Sequence, residues 1–209
     1  MIAIVDYNAG NLTSVAAAVR KLGQPCIVTS SPAEIEQADR VIFPGVGAAG
    51  AAMRNLTELG LRECLKTVIA QGKPFLGICL GYQILFQHAE EDDQTCLGVL
   101  EGNVVRFDAN LRNADGRALK IPHMGWNEVV FRGQHPVWDG VPAHSEFYFV
   151  HSYHPVPRPE QICASTTYGV EFASGVACRN LVAFQFHPEK SGRPGLKLLD
   201  NFCKWQPAE

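Results

Sequence analysis

Short runs of β-branched and apolar residues alternate with helical stretches through the first half of this sequence. Strands are predicted at residues 2–5, 26–29, 41–43 and 75–78. Helices are predicted between and after them, at residues 12–22, 31–38, 49–71 with a break near Gly60, and 80–88. Parallel strands need crossover connections of this kind, and the helices then cover both faces of the sheet. The alternation therefore predicts an α/β fold.

The second half is rich in strands instead. Short β-type runs occur at residues 104–107, 127–131, 147–150, 162–167, 170–177 and 181–186, before a final helix at about 195–205. No Ser-, Gly- or Pro-rich linker separates the two halves. Residues 1–209 are therefore interpreted as a single domain. Its predicted architecture is a mixed, mainly parallel central sheet flanked by helices, with additional antiparallel strands.

Composition excludes several classes of protein. The chain has 46% hydrophobic and 19% charged residues, which excludes intrinsic disorder, and its net charge of −3 disfavours general nucleic-acid binding. No apolar run approaches the length of a membrane span, and the N-terminus lacks the pattern of a secretory signal. Seven cysteines without a CxxC motif indicate a reducing compartment. We expect a soluble, cytoplasmic protein without a metal or other cofactor.

Cys79 is the strongest candidate for a nucleophile. It lies between a buried-type strand and a helix and is flanked by Gly77 and Gly81, which is the cysteine form of a nucleophile elbow. The tight turn requires neighbours without a Cβ, and the helix that follows favours a thiolate. The N–H of Leu80 would then face an oxyanion. Most free cysteines are buried structural residues, but the two glycines at a strand–helix junction favour the catalytic interpretation.

A thiolate nucleophile needs a histidine that a third group orients. His187 and Glu189 follow the last predicted strand two positions apart, so in an extended chain they face the same side. Glu189 would accept a hydrogen bond from one imidazole nitrogen and leave the other for Cys79. His151 and His154 could form a metal pair, but no third ligand is evident near them.

These residues resemble those of a known family. The segments Gly77–Gln83 and His187–Glu189 resemble the class I (triad) glutamine amidotransferases. The resemblance covers essentially the whole chain and is closest to the glutaminase subunits of imidazole glycerol phosphate synthase. Four segments carry this narrower resemblance, namely 44–47, 122–127, 149–153 and 187–191. It implies hydrolysis of glutamine to glutamate and ammonia through a γ-glutamyl thioester on Cys79.

The resemblance also implies roles for residues around Cys79. The oxyanion hole would consist of the backbone N–H groups of Leu80 and of the segment Pro44–Gly47, at Val46 and Gly47, where a peptide flip would complete it. Substrate-binding residues are expected at Gly45, Gln83, Glu91, Ser152 and Tyr153. Glu91 lies in the acidic run 90–93, which is equally typical of a solvated loop.

Nothing in the sequence indicates a site for an ammonia acceptor, since phosphate-binding and dinucleotide-binding motifs are absent. The resemblance implies a heterodimer with a (β/α)₈-barrel cyclase. That cyclase forms imidazole glycerol phosphate and aminoimidazole carboxamide ribotide in histidine biosynthesis. Asn11, Trp126 and Lys190 are candidate interface residues, although Trp126 could equally be a core residue. We expect the isolated chain to be nearly inactive until its partner activates it.

Three alternatives remain open at this stage. The chain could be the glutaminase subunit of pyridoxal phosphate synthase or anthranilate synthase, although Val46 and the segment 123–127 disfavour both. It could be a non-catalytic regulatory module of the same fold, although Cys79, His187 and Glu189 are all present. It could also be a thiol hydrolase with the same elbow, which would leave Gln83 without a role.

Overall fold

The computed structural model describes residues 1–8 and 12–207, so the candidate interface residue Asn11 lies outside the described residues. The first half contains strands β1 (Ile2–Val5), β2 (Cys26–Thr29), β3 (Arg40–Gly45) and β4 (Phe75–Cys79). Its helices are α1 (Leu12–Lys21), α2 (Pro32–Gln37), α3 (Ala49–Glu58), α4 (Leu61–Ala70) and the single turn α5 (Leu80–Gln83). The predicted alternation of strands and helices is therefore confirmed.

The second half consists mainly of strands. They are β5 (His88–Ala89), β6 (Gln94–Thr95), β7 (Gly102–Arg106), β8 (His123–Glu128), β9 (Val130–Phe131), β10 (Glu146–His151), β11 (Tyr153–Pro157), β12 (Ile162–Tyr168), β13 (Val170–Cys178) and β14 (Leu181–Phe184). Helix α6 (Gly192–Lys204) follows them. No strand is predicted at β11 because two of its five residues are prolines, which are rare inside strands.

The central sheet has eight strands in the order β2-β1-β3-β4-β14-β13-β12-β9. Its first five strands are parallel and the remaining pairings are antiparallel, which confirms the predicted mixed sheet. Alternate residues of β1 belong to different hydrophobic clusters, with Ala3 and Val5 in one and Ile2 and Ile4 in the other. Both faces of the sheet are thus buried, as expected for parallel strands covered by helices.

Local signals explain several helix boundaries. Ser31 caps α2 by accepting a hydrogen bond from the Glu34 N–H, and Pro32 occupies the first helical position. Gly60 adopts a left-handed conformation (φ 67°) between α3 and α4, which is the predicted break. None of the helices in residues 1–8 and 12–207 is long and apolar enough to cross a membrane.

The helix predicted at residues 80–88 is wrong beyond Gln83. The backbone carbonyls that would continue it are engaged by a later loop instead. The N–H groups of Leu97 and Gly98 donate to the carbonyls of Ile84 and Phe86, at 2.9 and 2.8 Å. These long-range hydrogen bonds satisfy the carbonyls that a longer helix would use, so the chain leaves the helix after one turn. The residue His88 then begins β5.

Two small sheets pack beside the central one. β8 pairs with β10, and β11, β7, β5 and β6 form the other in that order. The predicted strand 127–131 is in fact the end of β8 followed by β9, and the predicted strand 181–186 ends at Phe184. The chain continues from β14 to His187 and thereby brings it to the carboxyl end of β4.

Candidate active site

Cys79 occupies a strained turn between β4 and α5. Its backbone has φ 55° and ψ −111°, a conformation that non-glycine residues rarely adopt. A Cβ at Gly81 would collide with the backbone carbonyl oxygen of Phe43, and one at Gly77 would lie 2.9 Å from the Ala183 Cβ. The two flanking glycines are therefore required by close packing, which is the physical basis predicted for the elbow.

His187 and Glu189 form a buried pair. His187 Nδ1 donates to Glu189 Oε1 at 2.8 Å, and the two side chains are only 2% and 1% exposed. The other ring nitrogen, Nε2, is buried and bonds to no group within the described residues. Burial alone lowers the pKa of His187, but the Cys79 thiolate and the bond to Glu189 outweigh it and hold that pKa above its ordinary range. The imidazolium is thus favoured beside the sulfur.

A cavity of about 240 Å³ opens in front of Cys79. It brings together most of the residues that the sequence singled out for this site: Val46, Gly47, Leu80, Gln83, Glu91, Ser152 and Tyr153. Gly45 lies behind the lining. It pairs in register with Cys79 across β3 and β4, and a Cβ there would collide with the hydroxyl of Tyr7.

The segment after β3 lies beside the elbow. Val46 is 37% exposed, and Gly47 has φ 101°, in the region that favours glycine. Both residues line the same cavity as Leu80, whose N–H stands at the start of α5. Residues from two separate segments of the chain therefore border the space in front of the sulfur.

Glu91 is half-buried and held by a hydrogen bond, although its neighbours in the acidic run are exposed. Its Oε2 accepts a hydrogen bond from the Ala49 N–H at 2.9 Å, and Asp92 Oδ2 accepts one from the Gly50 N–H at 3.2 Å. The two carboxylates cap α3, because its N-cap residue, Ala48, has only a methyl side chain and cannot accept a hydrogen bond. Burial raises the pKa of Glu91, and the bond from Ala49 opposes this shift. Glu91 thus both lines the cavity and holds the helix that follows Gly47.

Two glutamine side chains connect the cavity wall to the nucleophile. Gln83 Nε2 donates to the Tyr153 carbonyl at 2.9 Å and to Gln185 Oε1 at 3.0 Å. Gln185 Nε2 in turn contacts Cys79 Sγ at 3.8 Å as a hydrogen-bond donor. The sequence reasoning missed Gln185. The available signal was a lone amide inside the apolar run 181–186.

A pair of buried histidines supports the same carbonyl. His151 Nδ1 donates to the Tyr153 carbonyl at 2.7 Å, and His123 Nδ1 lies 2.9 Å from His151 Nε2. Asn127 Nδ2 lies 3.2 Å from His123 Nε2. Burial lowers the pKa of His123 to about 4 and that of His151 well below its ordinary value. Both rings are therefore neutral, and no group of three or more His, Cys, Asp or Glu side chains in the described residues could hold a metal ion.

Trp126 lies on the surface, 55% exposed, so the core interpretation of this residue is wrong. Its ring meets that of Tyr148 edge-on, with centroids 6.1 Å apart, and Lys190 Nζ lies 5.8 Å from the centroid of the Tyr148 ring. Met124, on the same strand as Trp126, is 61% exposed. These four residues form what we call the outer patch. The outer patch adjoins the cavity, because Val150 lines the cavity and pairs with Met124 across strands β10 and β8.

Comparisons with known proteins agree on one family. The family model described as Glutamine amidotransferase class-I matches residues 3–205. "Imidazole glycerol phosphate synthase subunit HisH" of Aromatoleum aromaticum is 52% identical over 99% of this chain and 99% of its own. The protein of the same description from Desulfovibrio desulfuricans is 51% identical over 98% and 94%. A solved structure, "Crystal structure of glutamine amidotransferase", has a TM-score of 0.73 at 20% identity, covering 98% and 100%, and supports the fold alone.

Proposed function

The chain belongs to the class-I glutamine amidotransferases and, within them, to the family of imidazole glycerol phosphate synthase subunits named HisH, and we propose that Cys79, His187 and Glu189 perform its glutaminase reaction. It is a glutaminase subunit of histidine biosynthesis, as its resemblance implied. The alternatives of a pyridoxal phosphate or anthranilate synthase subunit lose their support. Residues 1–209 would act as one glutaminase domain.

The buried His187–Glu189 pair beside Cys79 is the observation that carries the proposed chemistry. The Cys79 sulfur attacks the side-chain amide carbon of glutamine. The carbon–nitrogen bond breaks, and the His187 imidazolium gives its proton to the departing ammonia. Water then attacks the γ-glutamyl thioester, His187 accepts a proton from that water, and the carbon–sulfur bond breaks. Glutamate leaves, and the thiolate–imidazolium pair is restored.

The tetrahedral intermediate carries an oxyanion, which we assign to the N–H of Leu80 and to an N–H at Val46 or Gly47. These residues line one cavity with Cys79. The loss of one such donor typically lowers kcat by about 10²–10³-fold. Gly47 has a backbone conformation that favours glycine, and a glycine makes peptide rotation at this point less unfavourable. A rotation that completes the hole would switch the enzyme on.

Glutamine has an α-ammonium and an α-carboxylate, which require partners of opposite character. Glu91 would hold the ammonium, since its carboxylate is anchored by the Ala49 N–H and the residue lines the cavity. Gln83 would bind the substrate side chain. Gly45 would support the pocket through its pairing with Cys79, and Ser152 and Tyr153 line the cavity.

We assign the partner, a (β/α)₈-barrel cyclase, to the outer patch, where it would cover the cavity mouth and receive ammonia in a heterodimer. Exposed aromatic and methionine side chains are enriched at protein interfaces, and Lys190 adds a cation beside Tyr148. Asn11 stays a candidate contact. A cytoplasmic location is proposed from the seven cysteines, all of which are free. No cofactor is assigned.

A covalent label tests the chemistry directly. A chloroketone analogue of glutamine should modify Cys79, and an excess of glutamine should protect it, as read by peptide mass mapping. The matched control is Cys26→Ala, which removes a partly exposed cysteine and should leave the labelling unchanged. Labelling that is insensitive to glutamine, or that falls mainly on other cysteines, would refute Cys79 as the nucleophile.

A binding measurement tests the partner separately. Trp126→Ala and Lys190→Ala should each weaken binding of a barrel cyclase, because both remove side chains from the outer patch. Val156→Ala, which shortens an exposed apolar side chain on β11, should have no effect. Wild-type affinity in all three variants would place the interface on another surface.

A further inference from the structure

Gln185 is a buried polar residue to which the proposed reaction assigns no role. Its side chain is fully buried between the hydrophobic residues Phe184 and Phe186. A buried amide in such a run requires hydrogen-bond partners, because an unpaired amide is unfavourable in an apolar environment. The partners are the Gln83 amide at 3.0 Å and the Cys79 sulfur at 3.8 Å.

The orientation of both amides follows from the Tyr153 carbonyl. A carbonyl oxygen can only accept, so the Gln83 atom that lies 2.9 Å from it must be the nitrogen. The second N–H of that nitrogen donates to Gln185, whose facing atom must then be the oxygen. The nitrogen of Gln185 is thereby turned toward Cys79. The chain of hydrogen bonds thus delivers an N–H donor to the sulfur.

The Tyr153 carbonyl is itself held in place from the other side. His151 Nδ1 donates to it at 2.7 Å, and the ring of His151 lies against the second buried histidine, His123. Both N–H groups of the Gln83 amide are committed to the hydrogen bonds that anchor this arrangement. The oxygen of Gln83 is therefore the atom left to accept a hydrogen bond from a ligand in the cavity, which Gln83 lines.

We propose that Gln185 is a positioning residue with two effects. Its N–H stabilises the Cys79 thiolate and holds the sulfur toward the cavity, since hydrogen bonds to a charged form favour that form. Its oxygen fixes the direction of the Gln83 amide. The second effect rests on the proposed function, because it concerns glutamine binding. The first concerns only the sulfur and is independent of any substrate.

The direct test is the pH dependence of Cys79 alkylation by iodoacetamide in the full chain, read by mass mapping of the Cys79 peptide. Gln185→Met keeps the length of the side chain and removes both hydrogen bonds. Hydrogen bonds to charged groups are strong enough that alkylation at pH 7 should fall roughly tenfold or more. The rise in rate with pH should also move to higher pH, a change that a general loss of stability would not produce.

A matched control separates this effect from loss of a buried hydrogen bond in general. Ser174→Ala removes the bond that the Ser174 hydroxyl accepts from Thr166 at 2.9 Å on a neighbouring strand, without touching the sulfur. Its alkylation profile should be that of the wild type. If Gln185→Met does not fold, Gln185→Glu decides. It keeps the acceptor for Gln83 but puts a carboxyl oxygen opposite the sulfur, so alkylation at pH 8 should fall below the wild-type rate.

Wild-type alkylation profiles in the folded Gln185 variants would overturn the proposal. Glutamate release, measured for the same variants in the presence of a barrel cyclase, distinguishes the two effects and the proposed function. Gln185→Met should lower kcat and raise KM for glutamine, whereas Gln83→Met should act mainly on KM. A KM unchanged in Gln185→Met would refute the effect on Gln83. A wild type that releases no glutamate even with a barrel cyclase and its nucleotide substrate would refute the glutaminase function, while the alkylation result would still decide the contact with sulfur.

Discussion

The bond between His187 and Glu189 yields the sharpest prediction about catalysis. Glu189→Gln keeps the shape of the side chain and an oxygen that can accept from Nδ1, but it removes the negative charge. The bond is 2.8 Å long and both side chains are almost fully buried, so solvent cannot compensate for the loss. The carboxylate also has one oxygen, Oε2, without a partner in the described chain, so its effect is concentrated on this bond.

The expected loss of activity in Glu189→Gln can be bounded. A hydrogen bond to a charged group contributes about 1 kcal/mol more than a neutral one, and loss of one member of a buried ion pair costs about 3–5 kcal/mol. These limits, about 1 and 5 kcal/mol, correspond to a decrease in kcat/KM of about 5-fold to about 5,000-fold. Because Glu189 raises the pKa of His187, its loss should let the imidazolium deprotonate at lower pH. The basic limb of the pH–rate profile should therefore move to lower pH.

The assay is glutamate release across a pH series in the presence of a barrel cyclase. Glu171→Gln is the matched control, because it makes the same chemical change in an exposed pair with Arg132, and exposed pairs contribute little. Its rate should be within about twofold of the wild type. A Glu189→Gln enzyme with the wild-type rate and pH profile would refute the role of Glu189 in holding the imidazolium.

Three further predictions concern stability. Gly81→Ala should lower the free energy of unfolding by about 1–3 kcal/mol or more, because its Cβ would lie 2.9 Å from the Phe43 carbonyl carbon. A urea-unfolding midpoint equal to that of the wild type would refute the tight packing of the elbow. Tyr7→Phe should leave that free energy unchanged or raise it by about 1 kcal/mol, since the buried hydroxyl bonds to no described group; a clear loss would reveal a partner. The folded chain resists protonation of His123 and His151, so stability should fall by about 2 kcal/mol or more from pH 6.5 toward 4; constant stability across this range would contradict their low pKa values.

Much of the site was predictable because its signals are local. Glycines on either side of Cys79 reflect a steric requirement of the turn, and the spacing of His187 and Glu189 reflects their direct hydrogen bond. Strands β1, β3 and β4 were predictable because buried parallel strands are largely continuous apolar runs. Glu91 was harder to interpret, since an acidic run has the same composition whether it is solvated or caps a distant helix.

The features that the sequence did not predict depend on long-range pairing. Helix α5 ends at Gln83 because a loop some fifteen residues later takes the carbonyls that would extend it. The contact between His123 and His151 follows from the register of β8 on β10, where these two residues stand opposite each other. Gln185 acquires its partners only when β14 pairs with β4. No local pattern encodes these arrangements.

We propose that Cys79 is the nucleophile of a glutaminase that its partner activates. The most direct measurement is glutamate release from glutamine by the purified chain, alone and then with a barrel cyclase and the nucleotide substrate of that cyclase. We predict little activity alone, strong activation in the pair, and none in either case with Cys79→Ala. High activity of the chain alone would contradict the switch, and activity that survives in Cys79→Ala would contradict the nucleophile.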